Sequence, residues 1–148
     1  MDDQHINNLT VNKLNFLDSE SRLRASLGED EGGAYYLRMF DQSGKIRTQI
    51  GMGLDGQSHI CLNHGDGSPH LLLIVDVEGN NRIVAYDNVG NTRFQLSIEG
   101  DGSSSTIKLV NSNEKPLAII GAGMDERGIE QASIAIFDNG GNIIHLAP

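Results

Sequence analysis

The sequence predicts an all-β protein built from tandem antiparallel β-hairpins about 23 residues long. Two observations predict it. A turn signature returns at a fixed spacing, and apolar residues alternate with polar ones between the turns.

The turn signature comes first. Asp41-Gln42-Ser43-Gly44-Lys45-Ile46-Arg47 matches Asp87-Asn88-Val89-Gly90-Asn91-Thr92-Arg93. Halfway between lies His64-Gly65-Asp66-Gly67-Ser68-Pro69-His70, and one unit earlier Asp18-Ser19-Glu20-Ser21-Arg22-Leu23-Arg24. Other positions keep step: Leu14, Leu37, Ile60 and Ile83; Leu27, Ile50, Leu73, Leu96 and Ile119; Gly33, Gly56, Gly79 and Gly102. Asp bonds its own turn backbone and Gly supplies positive φ, so Asp-x-x-Gly is turn chemistry. Asp55-Gly56 and Asp101-Gly102 supply a second turn, expected as a tight Asp-Gly hairpin. Four units run in register from about residue 11 to 102. A fifth, near Thr106 to Gly128, is degenerate and longer, with Asn111-Ser112-Asn113-Glu114 as its turn and departures at Glu114, Pro116 and Leu117, and a sixth ends in Ile134 to Gly141.

The strands follow from the alternation. Leu37 and Met39, then Thr48, Ile50 and Met52, form one apolar face. Tyr36, Arg38 and Phe40, then Arg47, Gln49 and Gly51, form a polar one. An antiparallel sheet with one wet face fits this pattern, and its apolar face needs a cover. The expected architecture is a meander or solenoid-like repeat completed by oligomerisation. The alternative is a β-trefoil, because residues 11–148 also divide into three blocks of equal length. Residues 11–148 form the β-repeat domain in this reading, and residues 1–10 a flexible or docking N-terminal arm.

The repeated segments resemble uncharacterised bacterial and phage-associated proteins that carry tandem L-x-L-x-D-x-x-G-K-x-R-A-x-L-G hairpin repeats. The residues that carry the likeness are Leu14 to Asp18 with Arg22 to Gly28, and Met39 to Arg47. The resemblance implies a repetitive β structure, in some cases part of fibrous or trimeric assemblies, and no reaction.

Composition narrows the function. The 148 residues carry a net charge of −9, with the 11 basic residues scattered, so a phosphate backbone or anionic membrane surface is disfavoured. Aromatic content is 5% with no Trp, which leaves few platforms for stacking on bases or sugars. The amino terminus has no basic region ahead of an apolar run, and the longest aliphatic run is Leu71–Val75. Neither a secretory signal nor a membrane span is therefore expected, and localisation stays open. No nucleotide loop, nucleophile elbow or Cys-x-x-Cys spacing occurs, so no catalytic residue, no cofactor and no metal are assigned.

Two ladders recur. Asp18, Asp41 and Asp87 are expected to cap their own turns rather than bind Ca²⁺. Arg24, Arg47, His70 and Arg93 are expected to pair with the turn aspartates. The third unit breaks the pattern. It gathers His59, Cys61, His64 and His70, with hairpin pairing expected to bring His70 near Cys61. Beside it, Leu71–Val75 is apolar on both faces, which brings Leu72 and Ile74 into the group. These six residues are the expected interaction region. A second subunit or a terminal arm is expected to cover Leu71–Val75.

The leading expectation is a non-enzymatic structural or protein-interaction module that assembles with itself, a trimer foremost. The alternative is a carbohydrate-binding module, and behind it a metal-dependent enzyme.

Overall fold

A computed structural model describes residues 8–125 and 127–148. Most of the expected N-terminal arm lies outside the described residues. Twelve strands follow one another in sequence: β1 (Lys13–Leu17), β2 (Leu23–Glu29), β3 (Tyr35–Phe40), β4 (Ile46–Met52), β5 (Ser58–Asn63) and β6 (Pro69–Val75). Then come β7 (Asn81–Tyr86), β8 (Thr92–Ile98), β9 (Ser104–Val110), β10 (Pro116–Met124), β11 (Glu130–Phe137) and β12 (Ile143–Ala147). All belong to one antiparallel sheet in the order β1 to β12. Every strand contacts only its neighbours in sequence, so among the described residues the protein is a single layer. A β-trefoil closes a barrel and caps it with hairpins. This sheet is an open meander, and the trefoil alternative is therefore wrong. The repeat period itself points to the meander, because single hairpins repeat as strongly as pairs of them and the successive hairpins of a trefoil are not equivalent.

The turns are more alike than their sequences indicate. In each, the first residue donates its N–H to the carbonyl near the start of the next strand, and the fourth donates to the carbonyl of the first. Asp41 N–H to Lys45 O is 2.9 Å, and Gly44 N–H to Asp41 O is 3.1 Å. This is the three-residue hairpin loop that needs its last loop residue in the left-handed region. Gly44, Gly67 and Gly90 supply it with φ of 80°, 93° and 89°. Ser21 and Glu114 occupy the same place without being glycine, at φ of 63° and 59°. Asp55-Gly56 and Asp101-Gly102 are not two-residue turns. They are the third and fourth residues of longer loops that start at Gly53 and Glu99.

What makes the period 23 rather than half of it is a β-bulge. Turns that start at residues 18, 41, 64, 87, 111 and 138 are each followed by a register shift, whereas the turns at 30, 53, 76 and 125 are not. Leu17 pairs with Leu23 but Phe16 with Ala25, so Arg24 is the extra residue. By the same count Arg47, His70 and Arg93 are extra. The recurring basic ladder is thus a ladder of bulge residues along one lateral edge. This is the bulged edge, and the opposite side is the plain edge.

Register is kept across the whole sheet. One row runs Leu14, Leu27, Leu37, Ile50, Ile60, Leu73, Ile83, Leu96, Ile107, Ile120, Ile134 and Ala147, each directly opposite the next. The fifth and sixth hairpins look degenerate in sequence, yet they keep this row, with Ile120 in it rather than the expected Ile119, which lies opposite Lys108 and Ala135. Glu114, Pro116 and Leu117 change a turn and a bulge, and leave the pairing of β9 with β10 intact.

Candidate functional site

The aliphatic row is the middle of three on one face. The flanking rows mix Met39, Leu62 and Phe94 with Ala25, Thr48, Ala85 and Ala118 on one side, and Met52, Val75 and Ile98 with Ser58, Asn81 and Ala122 on the other. None of this is covered. Leu27 is 51% exposed, Ile50 42% and Ile120 47%. The face is shaped as a groove of about 930 Å³ over Leu37, Ile50, Ile60, Leu73, Ile83 and Leu96. A smaller one of about 330 Å³ continues over Ile107 and Ile120.

Burial is correspondingly poor. Among the described residues only Ala34, Cys61, Val84 and Val110 are buried hydrophobics, and no large side chain is fully enclosed. The accessible surface is 10324 Å². A compact monomer of 16.0 kDa exposes roughly 7,400 Å². The excess, on the order of 3,000 Å², is of the size that obligate oligomer interfaces remove.

The opposite face carries one side-chain network. Arg38 donates from Nη2 to Asp30 Oδ2 at 2.8 Å and from Nε to Gln49 Oε1 at 2.8 Å. With its oxygen engaged, Gln49 turns its amide nitrogen to His59 Nε2 at 2.9 Å, so that nitrogen of His59 accepts. The Arg38 guanidinium also lies over the Tyr36 ring at 4.3 Å from its centre. The ring crosses Gly51, where a Cβ would fall on the Tyr35 carbonyl and on Tyr36 itself. Only the cross-strand pairs Arg38–Gln49 and Gly51–His59 bring these groups together, so periodicity alone does not reveal them. One stacking surface of Tyr36 is taken by Arg38. Tyr35 lies on the apolar face, its hydroxyl 3.2 Å from Glu29 Oε2.

The six residues expected as an interaction region divide into three places. His59 joins this network. Cys61, Leu72 and the buried Val84 form a cross-strand row on the same polar face, and Ile74 lies beside His59 in the next row. Cys61 is 7% exposed and its thiol donates to Asn63 Oδ1 at 2.9 Å, with burial pushing its pKa up. That is the setting of a packed, unreactive thiol. His70 does not come near Cys61 as expected, because the bulge carries it to His64. The two rings stand 4.0 Å apart, centre to centre. His64 occupies the place that Asp takes in neighbouring turns, and its Nε2 is buried with no hydrogen-bond partner. Leu72 and Ile74 are half-buried by their lateral neighbours, and among the described residues no second layer lies on them. No three His, Cys, Asp or Glu side chains converge among the described residues in a way that could hold a metal ion.

The turn aspartates are engaged by their own loops. Asp41 Oδ1 accepts from Ser43 Oγ at 2.7 Å, Ser43 N–H at 2.8 Å and Lys45 N–H at 3.1 Å, which hold its carboxyl below the usual range. Where the first position lacks Asp or Asn, the third supplies it. Gly53 is followed by Asp55, His64 by Asp66 and Glu99 by Asp101, each accepting from the N–H two residues on. Arg24 and Arg47 reach the aspartates of their own hairpins at 3.7 and 3.8 Å, as expected, whereas His70 stacks on His64 and Arg93 makes no ion pair within 4.0 Å among the described residues.

No family model matches the chain, and no curated protein sequence matches it. Among the described residues no helix is long and apolar enough to cross a membrane.

Proposed function

We propose that this chain is a non-enzymatic structural module that assembles with copies of itself through its aliphatic face, three copies around one axis. The observation that carries the reading is the unbroken middle row from Leu14 to Ala147, half-buried to exposed, on a sheet with no second layer among the described residues. A single sheet with an open apolar face is not independently stable. The face measures roughly 53 Å across the strands by about 20 Å along them, on the order of 1,000 Å². A standard interface needs about 800 Å² per partner.

Geometry favours three copies. Walls about 20 Å wide arranged as a triangular prism lie about 6 Å from its axis, close to half the ~10 Å spacing of packed sheets. Four such walls would stand about 10 Å from the axis and enclose a wet channel. A prism is narrow at its corners, and the Ser and Thr residues of the face, with most of its Ala, lie in the flanking rows among Met39, Leu62, Leu71, Phe94 and Leu109, while the middle row is Leu or Ile from Leu14 to Ile134. A two-layer sandwich would give all three rows equal room.

Equilibrium sedimentation tests this. The expected mass is that of three chains, and Ile60→Lys with Ile107→Lys in the middle row should abolish it. A trimer unaffected by both substitutions would place the interface elsewhere.

A further inference from the structure

The two lateral edges of the sheet differ in charge. Along the plain edge lie Glu29, Asp30 and Glu31, then Asp55, Asp76 and Glu78, then Glu99, Asp101, Asp125 and Glu130. Among the described residues these ten acidic groups face four basic ones on the same edge, Lys13, Arg38, Arg82 and Arg127, with His59 in addition. Three of the four are already held by in-chain ion pairs, to Asp30, Asp76 and Asp125. The bulged edge is nearly balanced. Seven acidic groups, one or two per turn, stand with Arg22, Arg24, Lys45, Arg47, Arg93 and Lys115, and with His64, His70 and His145 in addition. The bulges set Arg24, Arg47, His70 and Arg93 on every second strand, about 9.6 Å apart. Arg22 and Arg24 also have in-chain ion pairs, to Asp18 and Glu20; Arg47 is exposed, lies 3.8 Å from Asp41 and donates from Nε to the Asn63 carbonyl at 3.2 Å.

We infer that the copies run parallel in the assembly, with every β1 at the same end and the bulged edge of each copy set against the plain edge of the next. The inference rests on the proposed self-assembly and adds its direction. Rotation about an axis along the strand-stacking direction always brings unlike edges together. A two-fold axis along the strands would instead lay plain edge on plain edge, acid on acid. Edges in contact lie within the ~8 Å screening length of physiological salt, so that repulsion would not be screened away. Charge arrangement of this kind selects the partner's orientation more than it adds affinity.

Two measurements test it. Arg47→Glu with Arg93→Glu on the bulged edge should raise the concentration of half-assembly about tenfold or more. Adding Glu31→Arg and Glu78→Arg, two turn-tip positions on the plain edge, should bring it back towards the unaltered value. The second measurement starts from a Cys61→Ser chain and mixes single-cysteine copies. Ser19→Cys should be joined by a short bis-maleimide to Glu31→Cys of another copy, and not to Asn139→Cys. If the charge variants assemble like the unaltered protein, or Ser19→Cys is joined to Asn139→Cys, the parallel arrangement is overturned and with it the three-fold axis, while self-assembly through the aliphatic face stands. If the unaltered chain is a monomer, the assembly itself fails and its direction with it.

Discussion

Ser21 and Glu114 each hold a left-handed backbone where nine other turns have glycine. That conformation costs a non-glycine residue about 1 kcal/mol or more. Glu114→Gly and Ser21→Gly should each raise the urea midpoint of the assembled protein by an amount worth about 1 kcal/mol. No change in either would show that the turn is relaxed as it stands. His64 is a second local exception. His64→Asp should restore a cap and remove a buried unpaired nitrogen, a gain also on the order of 1 kcal/mol. The carboxyls of Asp18, Asp30, Asp41, Asp76 and Asp138 are all held low, chiefly by hydrogen bonds from their own turns and, at Asp30, from Arg38. A depressed folded-state pKa contributes stability that is present above the unfolded value of about 3.9 and is lost as pH falls through the folded value. The thermal midpoint should therefore hold from pH 7 to about 5 and decline progressively below about pH 4. A midpoint indifferent to pH in that acid range would mean that the caps contribute nothing to folding. The capping role of these residues was readable from Asp-x-x-Gly alone. The rescue of Gly53, His64 and Glu99 by an aspartate two residues later was readable too, once the turn was known to start there.

At the scale of the hairpin, sequence gives the strands and their inward face, because a period of two leaves little choice of register. It does not give the bulges. A bulge adds one residue without a signature of its own, and only the alternation of 12 and 11 residues between turn starts from Asp18 to Glu99 records it, an alternation that the later turns lack. Missing the bulge displaces His70 from Cys61 to His64, which is why the expected His/Cys grouping breaks apart. Two glycines belong to this scale as well. A Cβ at Gly51 would fall on the Tyr35 carbonyl, and one at Gly100 on the Glu78 carbonyl. Backbone cannot swing aside as a side chain can, so Gly51→Ala and Gly100→Ala should each destabilise by about 1–3 kcal/mol. Gly44→Ala is a different case, since open space surrounds it and only its positive φ opposes the change. Gly51→Ala with a melting temperature like that of the unaltered protein would show that β3 and β4 can move apart freely.

For the whole molecule, the sheet order and the continuous aliphatic row follow from the repeat, whereas closure does not. Whether such a face is covered by a second sheet of the same chain depends on contacts far apart in sequence, and a repeat that favours neighbours everywhere supplies none. The result is a chain with four buried hydrophobic residues among those described and a ribbon of exposed Leu, Ile and Val. In the proposed assembly this face becomes the core, and folding and association should then be one transition whose midpoint rises with protein concentration. The direct measurement is the mass of the purified chain in solution by equilibrium sedimentation. Three chains of 16.0 kDa should give about 48 kDa across micromolar concentrations, and a monodisperse, cooperatively folded species at the mass of one chain would contradict the account.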